Sequence, residues 1–365
     1  MMAYGEQTTL AHRKRLAASR LILGFNGLSV PSDIRAFCKV ADPAGFILFA
    51  RNVEEVGQVL ELNKELKATV RPENPPILSV DQEGGRVRRI RDTDWPPMRW
   101  VGNINQDDVT AAVATGIAKE LIAMGFNTNW APVADVDSNP KNPVIGDRAF
   151  SRSPQQVARH VVQFLQHFHQ NGIIGCAKHF PGHGDTDLDS HFDLPIVEKE
   201  VPDIEQCELF PFQAAVQAGV ALIMTAHVIF PAYDEHHPAT MSQAILQNIL
   251  RKKMGYNGLI VSDDMEMKAV RGRWPLVEQL DKSCRASVDL FLMCSEISLQ
   301  WEAFEALVHL QENDKVHQIL AEDSHRRLQH LQERFFSKSK FFDLAVINAP
   351  GHQHLCHWIA ERGQS

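Results

Sequence analysis

The chain has 365 residues, long enough to bury one large α/β core or two medium ones. Its 44% hydrophobic and 22% charged residues describe an ordinary soluble globule. The formal net charge of -8 argues against a nucleic-acid partner, since such domains carry a basic face.

The N-terminal basic cluster His12 to Arg15 could open a secretory leader. Arg20, however, interrupts the apolar run that follows and leaves only about four residues where roughly 7–15 are needed. No apolar run reaches membrane-spanning length. The six cysteines (Cys38, Cys176, Cys207, Cys284, Cys294 and Cys356) are scattered, with no CxxC pair to suggest a zinc knuckle or a disulfide framework. A cytoplasmic protein without a membrane span is expected.

Short apolar runs recur along the chain. They are LILGF at 21–25, GFILFA at 45–50, PILSV at 76–80, NWAPVADV at 129–136, GIIGCA at 172–177, ALIMTA at 221–226, GLIV at 258–261 and DLFLMC at 289–294. Each is short, continuous and aliphatic, as strands buried on both faces are. Between them, residues 53–70, 108–125 and 153–172 carry apolar side chains at helical spacing. The last of these begins at a capping Ser153 and ends at Gly172. Eight strands alternating with helices predict a single (β/α)8 TIM-type barrel; a doubly wound sheet has the same periodicity. Residues 1–335 are read as the barrel. Residues 336–365, after a long charged helix, are read as a tail or packing helix without a second core.

Ionisable residues follow the runs: Asp81 after the third, Asp135 in the fourth, Lys178 and His179 after the fifth, His227 after the sixth, and Asp263 and Asp264 after the seventh. In a (β/α)8 barrel, such strand ends converge on one mouth. A lone aspartate there is ordinarily a helix cap, but capping does not account for Lys178, His179 or His227. The two glycines of QEGGR, Gly84 and Gly85, would let backbone approach a ligand. The stretch KHFPGHGDTDLDSH, residues 178–191, adds three histidines and three aspartates. There is no Walker loop, no G-x-G-x-x-G and no G-x-S-x-G. Sugar chemistry and a metal hydrolase built on His179, His183, Asp185 and His191 remain. The second lacks H-E-x-x-H and any cysteine set.

The segments FILFARN, VDQEGGRVRR, APVADVDSNPKNPVIGDRAF, AKHFPGHGDTDLDSH, MTAHVIFPA and IVSDDMEM resemble, in this order, glycoside hydrolase family 3. They are similar in particular to its bacterial β-N-acetylglucosaminidases (β-hexosaminidases) of peptidoglycan recycling. The resemblance spans residues 20–295 and implies a barrel. It also implies a retaining exo-glycosidase that releases terminal β-linked N-acetylglucosamine, from a sugar or muropeptide substrate, through a covalent glycosyl-enzyme. It assigns the nucleophile to Asp263 and the acid/base to His191 paired with Asp189, and leaves Asp264 as a capping or hydrogen-bonding neighbour. A carboxylate on one imidazole nitrogen fixes the tautomer and supports the protonated form.

Asp81, Arg89, Arg148, Lys178 and His179 match the family's substrate-contact positions. Arg148 has an alternative as a structural salt bridge to Asp147 or Asp135. His227 matches a position near the site without a derived role. His183, Asp185, Asp187 and Asp193 are read as loop solvation and turn-making. Glu266 stands where relatives carry a small residue and is expected to alter the pocket mouth. No cofactor and no metal are called for, and a monomer is expected. The alternative within sugar chemistry is a phosphorylase on the same site.

Overall fold

Each of the eight apolar runs forms a strand, and the strands close on themselves. The computed structural model describes residues 9–186, 194–336 and 340–364. In chain order the barrel strands are β1 (Leu21–Leu23), β2 (Gly45–Leu48) and β3 (Ile77–Val80). A short hairpin of β4 (Gln82–Gly84) and β5 (Val87–Arg88) follows. The barrel resumes with β6 (Thr128–Asn129), β7 (Ile174–Phe180), β8 (Leu222–Thr225), β9 (Leu259–Asp264) and β10 (Leu290–Met293). The order β1-β2-β3-β6-β7-β8-β9-β10 returns to β1, and every pair is parallel. This is the predicted (β/α)8 barrel, and the doubly wound alternative is set aside.

The runs are continuously apolar because both faces of each strand are covered. Ile22, Ile47, Ile77, Ile174, Cys176, Leu222, Met224, Leu259, Val261, Leu290 and Leu292 form the inner core. Their alternates, among them Phe46, Leu78, Ile223, Ile260 and Phe291, pack outward against the helices. The helix Lys315–Phe335 closes the N-terminal end by placing Leu328, Leu331 and Phe335 in the inner cluster.

The fourth run is a strand over Thr128–Asn129 only. Pro132 has no N–H to give to a ladder, and pairing resumes at the Val133 to Lys178 bridge. The helix expected over 153–172 is Pro154–Asn171, capped by the Ser153 hydroxyl and ended by Gly172 at φ 94°. Arg20, which broke the N-terminal apolar run, is buried and donates to Val288 O at 2.6 Å and Asp289 O at 3.2 Å.

At the C-terminus, the helix Pro350–Gly363 lies on the helix Met98–Ile104, where Asn103 Nδ2 donates to Gly363 O at 2.8 Å. Among the described residues no helix is long and apolar enough to cross a membrane.

Candidate active site

The two-residue period of the strands builds the site. On β9 the inward series Leu259, Val261 continues to Asp263. On β7 the series Ile174, Cys176 continues to Lys178, and on β3 the series Ile77, Ser79 continues to Asp81. All three next steps are polar and fall at the C-terminal ends of the strands, where a parallel barrel opens. They line one pocket of about 210 Å³ together with Glu83, Arg89, Arg148, His179 and His183. A larger cavity, about 670 Å³, opens at the opposite end beside Gly219, Gly258 and Arg334, and it holds none of these groups.

The basic groups are held by carboxylates. Lys178 Nζ lies 2.7 Å from Asp81 Oδ1 and 2.6 Å from Glu83 Oε1. Arg148 grips Glu83 with two parallel bonds, Nε to Oε2 and Nη2 to Oε1, each 2.8 Å. Such a fork is geometrically selective and strong. Burial raises the Glu83 pKa, but Arg148 and Lys178 outweigh it and hold the carboxyl well below the usual range. Burial likewise works against the Lys178 ammonium, and Asp81 and Glu83 reverse it. Arg89 reaches Asp81 Oδ2 at 3.5 Å, its guanidinium 5.5 Å from the centre of the Phe49 ring, and its Nε has no partner among the described residues.

Asp263 is oriented by the N–H of Asp264, which donates to its Oδ1 at 2.8 Å. Burial raises its pKa; His179, His227, the Asp264 N–H and Lys178 pull it down by more, so it is ionised across the neutral range. Asp264 goes the other way. Burial, with Glu266 and Asp263 nearby, pushes it up to about 7. Two adjacent carboxyls are thus separated by environment, the pattern that marks functional pairs.

The histidines are ordered by Asp135. This fully buried carboxylate accepts from His179 Nδ1 at 2.8 Å, from His179 N at 3.2 Å and from His183 N at 2.7 Å. His179 therefore carries its proton on Nδ1. His227 Nε2 donates to Asp264 O at 3.0 Å and Nδ1 accepts from Thr240 at 2.9 Å, so it ties β8 to the backbone beside Asp263.

Asp189, His191, Asp187 and Asp193 lie outside the described residues. Arg148 does form a salt bridge, but to Glu83; Asp147 pairs instead with Arg86 at 3.1 Å. Glu83, which organises Lys178 and Arg148, was missed. Its one signal is a carboxylate two residues beyond Asp81 in the same junction. His183 is buried and lines the pocket, with its pKa pushed down to about 4, chiefly by burial. It is not a solvated turn residue. Asp185 pairs with Lys199 at 3.1 Å.

Gly84 and Gly85 serve the hairpin rather than a ligand. A Cβ at Gly84 would lie 2.3 Å from Pro96 O, and one at Gly85 would lie 3.0 Å from Pro97 Cα. Glu266 does not line the pocket and accepts the N–H groups of Ser295 and Glu296 at 2.9 and 3.1 Å, at the start of the helix Ile297–Asn313. Among the described residues, no three His, Cys, Asp or Glu side chains gather as a metal-holding group.

A barrel whose mouth gathers carboxylates and cations in one pocket is built to hold a small polar ligand such as a sugar. The family model "Glycosyl hydrolase family 3 N terminal domain" matches residues 23–331, and the chain belongs to that family. Among its relatives, a beta-hexosaminidase of Nitrosomonas eutropha is 39% identical over 294 residues, 75% of this chain and 83% of that one. A family 3 beta-N-acetylglucosaminidase structure from Paenibacillus sp. superposes with a TM-score of 0.89 at 32% identity, over 96% of this chain and 68% of that one. NagZ from Neisseria gonorrhoeae, solved in complex with N-trifluoroacetyl-D-glucosamine, matches with a TM-score of 0.75 at 28% identity, over 94% and 98% of the two chains.

Proposed function

We propose that this family 3 hydrolase, a β-N-acetylhexosaminidase, removes single terminal β-linked N-acetylglucosamine units by retaining double displacement with Asp263 as nucleophile. The observation that carries this reading is the placement of ionised Asp263 on the inner face of β9, in a pocket shared with Asp81, Arg89, Arg148, Lys178 and His179. The pocket's volume of about 210 Å³ falls below the ~300–1,000 Å³ of sites for drug-sized ligands and suits one sugar ring, hence action at a chain end. Asp81, with Lys178 and Arg89 beside it, offers both acceptor and donors to vicinal hydroxyls.

In the first step the Asp263 carboxylate attacks the anomeric carbon, and the bond to the leaving oxygen breaks as His191 gives that oxygen a proton. In the second, His191 takes a proton from water, whose oxygen displaces the Asp263 ester. Asp189 orients and charges the imidazole. These two roles rest on the family's D-S-H step, which matches residues 189–191. The family's bacterial members favour a muropeptide of cell-wall recycling as substrate and a cytoplasmic monomer as the working form.

Incubation with a slow fluorinated N-acetylglucosamine analogue, followed by peptide mass mapping, tests the central claim. The label is expected on Asp263 within IVSDDMEM; a label on Asp264 or Asp81 overturns the assignment.

A further inference from the structure

On either side of residues 187–193, the chain is fastened by a partly buried charge cluster outside the pocket lining. Asp185 precedes residues 187–193 and Lys199 follows them. Lys199 Nζ bridges Asp185 Oδ1 at 3.1 Å and Glu208 Oε1 at 2.7 Å. Ser138 Oγ donates to the same Glu208 oxygen at 3.1 Å. Glu208 is fully buried, and its Oε2 has no hydrogen-bond partner among the described residues. A buried carboxylate with one unmatched oxygen carries a desolvation cost.

Glu208 also lies directly beneath the turn after β7. A Cβ at Gly182, where φ is +142°, would come 2.7 Å from Glu208 Cβ and Cγ. The outgoing leg is tied again by Asn142 Nδ2, which donates to His183 O at 2.8 Å and Thr186 Oγ1 at 3.1 Å. The returning leg is tied by Val197 N to Ile229 O at 2.9 Å. Of these ties, only the Lys199 bridge joins the two legs to each other. Burial opposes the Lys199 ammonium, but Glu208 and Asp185 outweigh it and hold its pKa above that of an ordinary lysine.

We infer that Lys199 and Glu208 are positioning residues for proton transfer to the leaving group: the Asp185, Lys199 and Glu208 cluster sets the spacing of the two chain legs from which His191 acts. This rests on the reading of His191 as acid/base. Glu208 fixes the height of the legs against the barrel, and Lys199 fixes their separation.

Proton donation matters in proportion to the basicity of the leaving oxygen. Lys199→Met, Lys199→Arg, Glu208→Gln and His191→Ala should be compared on an N-acetylglucosaminyl disaccharide and on a nitrophenyl N-acetyl-β-glucosaminide, with melting curves. Lys199→Met is expected to lose about 10–100-fold in kcat on the disaccharide and less than about threefold on the nitrophenyl substrate, with KM little changed. Glu208→Gln, which keeps the volume, should follow the same pattern, and Lys199→Arg should recover most of the loss. Equal losses on both substrates, tracking the fall in Tm, overturn the positioning role and leave a purely structural cluster. His191→Ala separates the two claims. If it is selective for the disaccharide and the cluster variants are not, the inference alone fails. If His191→Ala is itself indifferent to leaving group, the acid/base reading fails and takes the inference with it.

Discussion

Glu83 and Glu120 are both buried glutamates, with side-chain exposures of 2% and 4%, yet they do opposite work. Glu83 is held by full cations, Arg148 and Lys178, and sits at the pocket. Glu120 is held largely by neutral donors: Trp95 Nε1 at 2.8 Å, Thr93 Oγ1 at 2.7 Å and Asn348 N at 3.1 Å, with His352 Nδ1 at 2.6 Å. Neutral donors saturate a carboxylate and end the matter, and Glu120 thereby fastens the segment leading into the helix Pro350–Gly363 to the helix Asp107–Ala123. Cations around a carboxylate keep unused N–H groups. Glu83 thus holds two charged donor sets facing a cavity, at the desolvation cost that buried ion pairs carry. In this pair of glutamates, the charge of the partners separates the one at the pocket from the one that fastens.

Removing charge at the mouth should give the largest effects. Asp263→Asn is expected to lower kcat/KM by about 10⁴-fold while the melting temperature holds or rises, since a buried charge is removed without loss of shape. Kinetics on an aryl N-acetylglucosaminide with melting curves decide it, and a loss below about tenfold would place the nucleophile elsewhere. Glu83→Gln comes next. It leaves Lys178 paired with Asp81 alone and Arg148 without an ion-pair partner among the described residues, and should cost about 3–5 kcal/mol of stability. An activity loss of about 10²-fold should accompany it, because both donor sets shift. An unchanged kcat/KM would erase the distinction between the two glutamates from the side of the mouth.

The same distinction is tested from the other side by Glu120→Ala. This strands Trp95 Nε1 and frees the Asn348 and His352 contacts, so about 3 kcal/mol of stability should go. The kcat/KM of the folded fraction should stay within about twofold. A selective loss of activity with an unaltered Tm would make the C-terminal helix part of the active machinery.

The barrel was legible because its strands are buried on both faces, and burial on both faces writes itself as an apolar run. The mouth was legible for a related reason. The runs end in Asp81, Lys178 and Asp263, the next inward positions of a two-residue period. What the sequence did not disclose are partnerships. Arg148 looks toward Asp147 beside it, yet takes Glu83, 65 residues away. Glu120 takes His352, 232 residues away. A charged side chain has reach in every direction, and nothing in its local context names the opposite charge that folding brings within 3 Å. The glycines of QEGGR misled in a similar way. They meet the needs of a turn against Pro96 and Pro97, and a glycine pair reads the same whether backbone or ligand approaches it.

The smallest expected effect contrasts two histidines, one at the mouth and one in the body of the fold. His183 in the pocket and His160 between helices are both held neutral, each pushed down to about 4 chiefly by burial. His160 is stacked on Phe150 at 5.2 Å and bonded through Nδ1 to Thr110 at 2.7 Å, with no partner for Nε2 among the described residues. An unfolded histidine takes a proton near pH 6.5, whereas these folded ones refuse it until about pH 4. Between those values the unfolded chain binds more protons, so stability must fall as pH falls through that window and level off below it. Each histidine contributes at most about 1.4 kcal/mol per pH unit. His160→Gln should remove one such contribution. Denaturant melts from pH 7 to pH 4 should show a shallower decline than the parent, with about 1 kcal/mol lost at pH 7 and the pH profile of kcat/KM unmoved. His183→Gln should flatten the stability profile by a similar amount but also disturb kcat/KM, because its backbone and ring share Asp135 and the pocket wall with His179. Parallel stability slopes in the parent and His160→Gln would mean that this imidazole is protonated in the fold. An activity change in His160→Gln equal to that in His183→Gln would mean that the mouth does not end where the pocket lining ends.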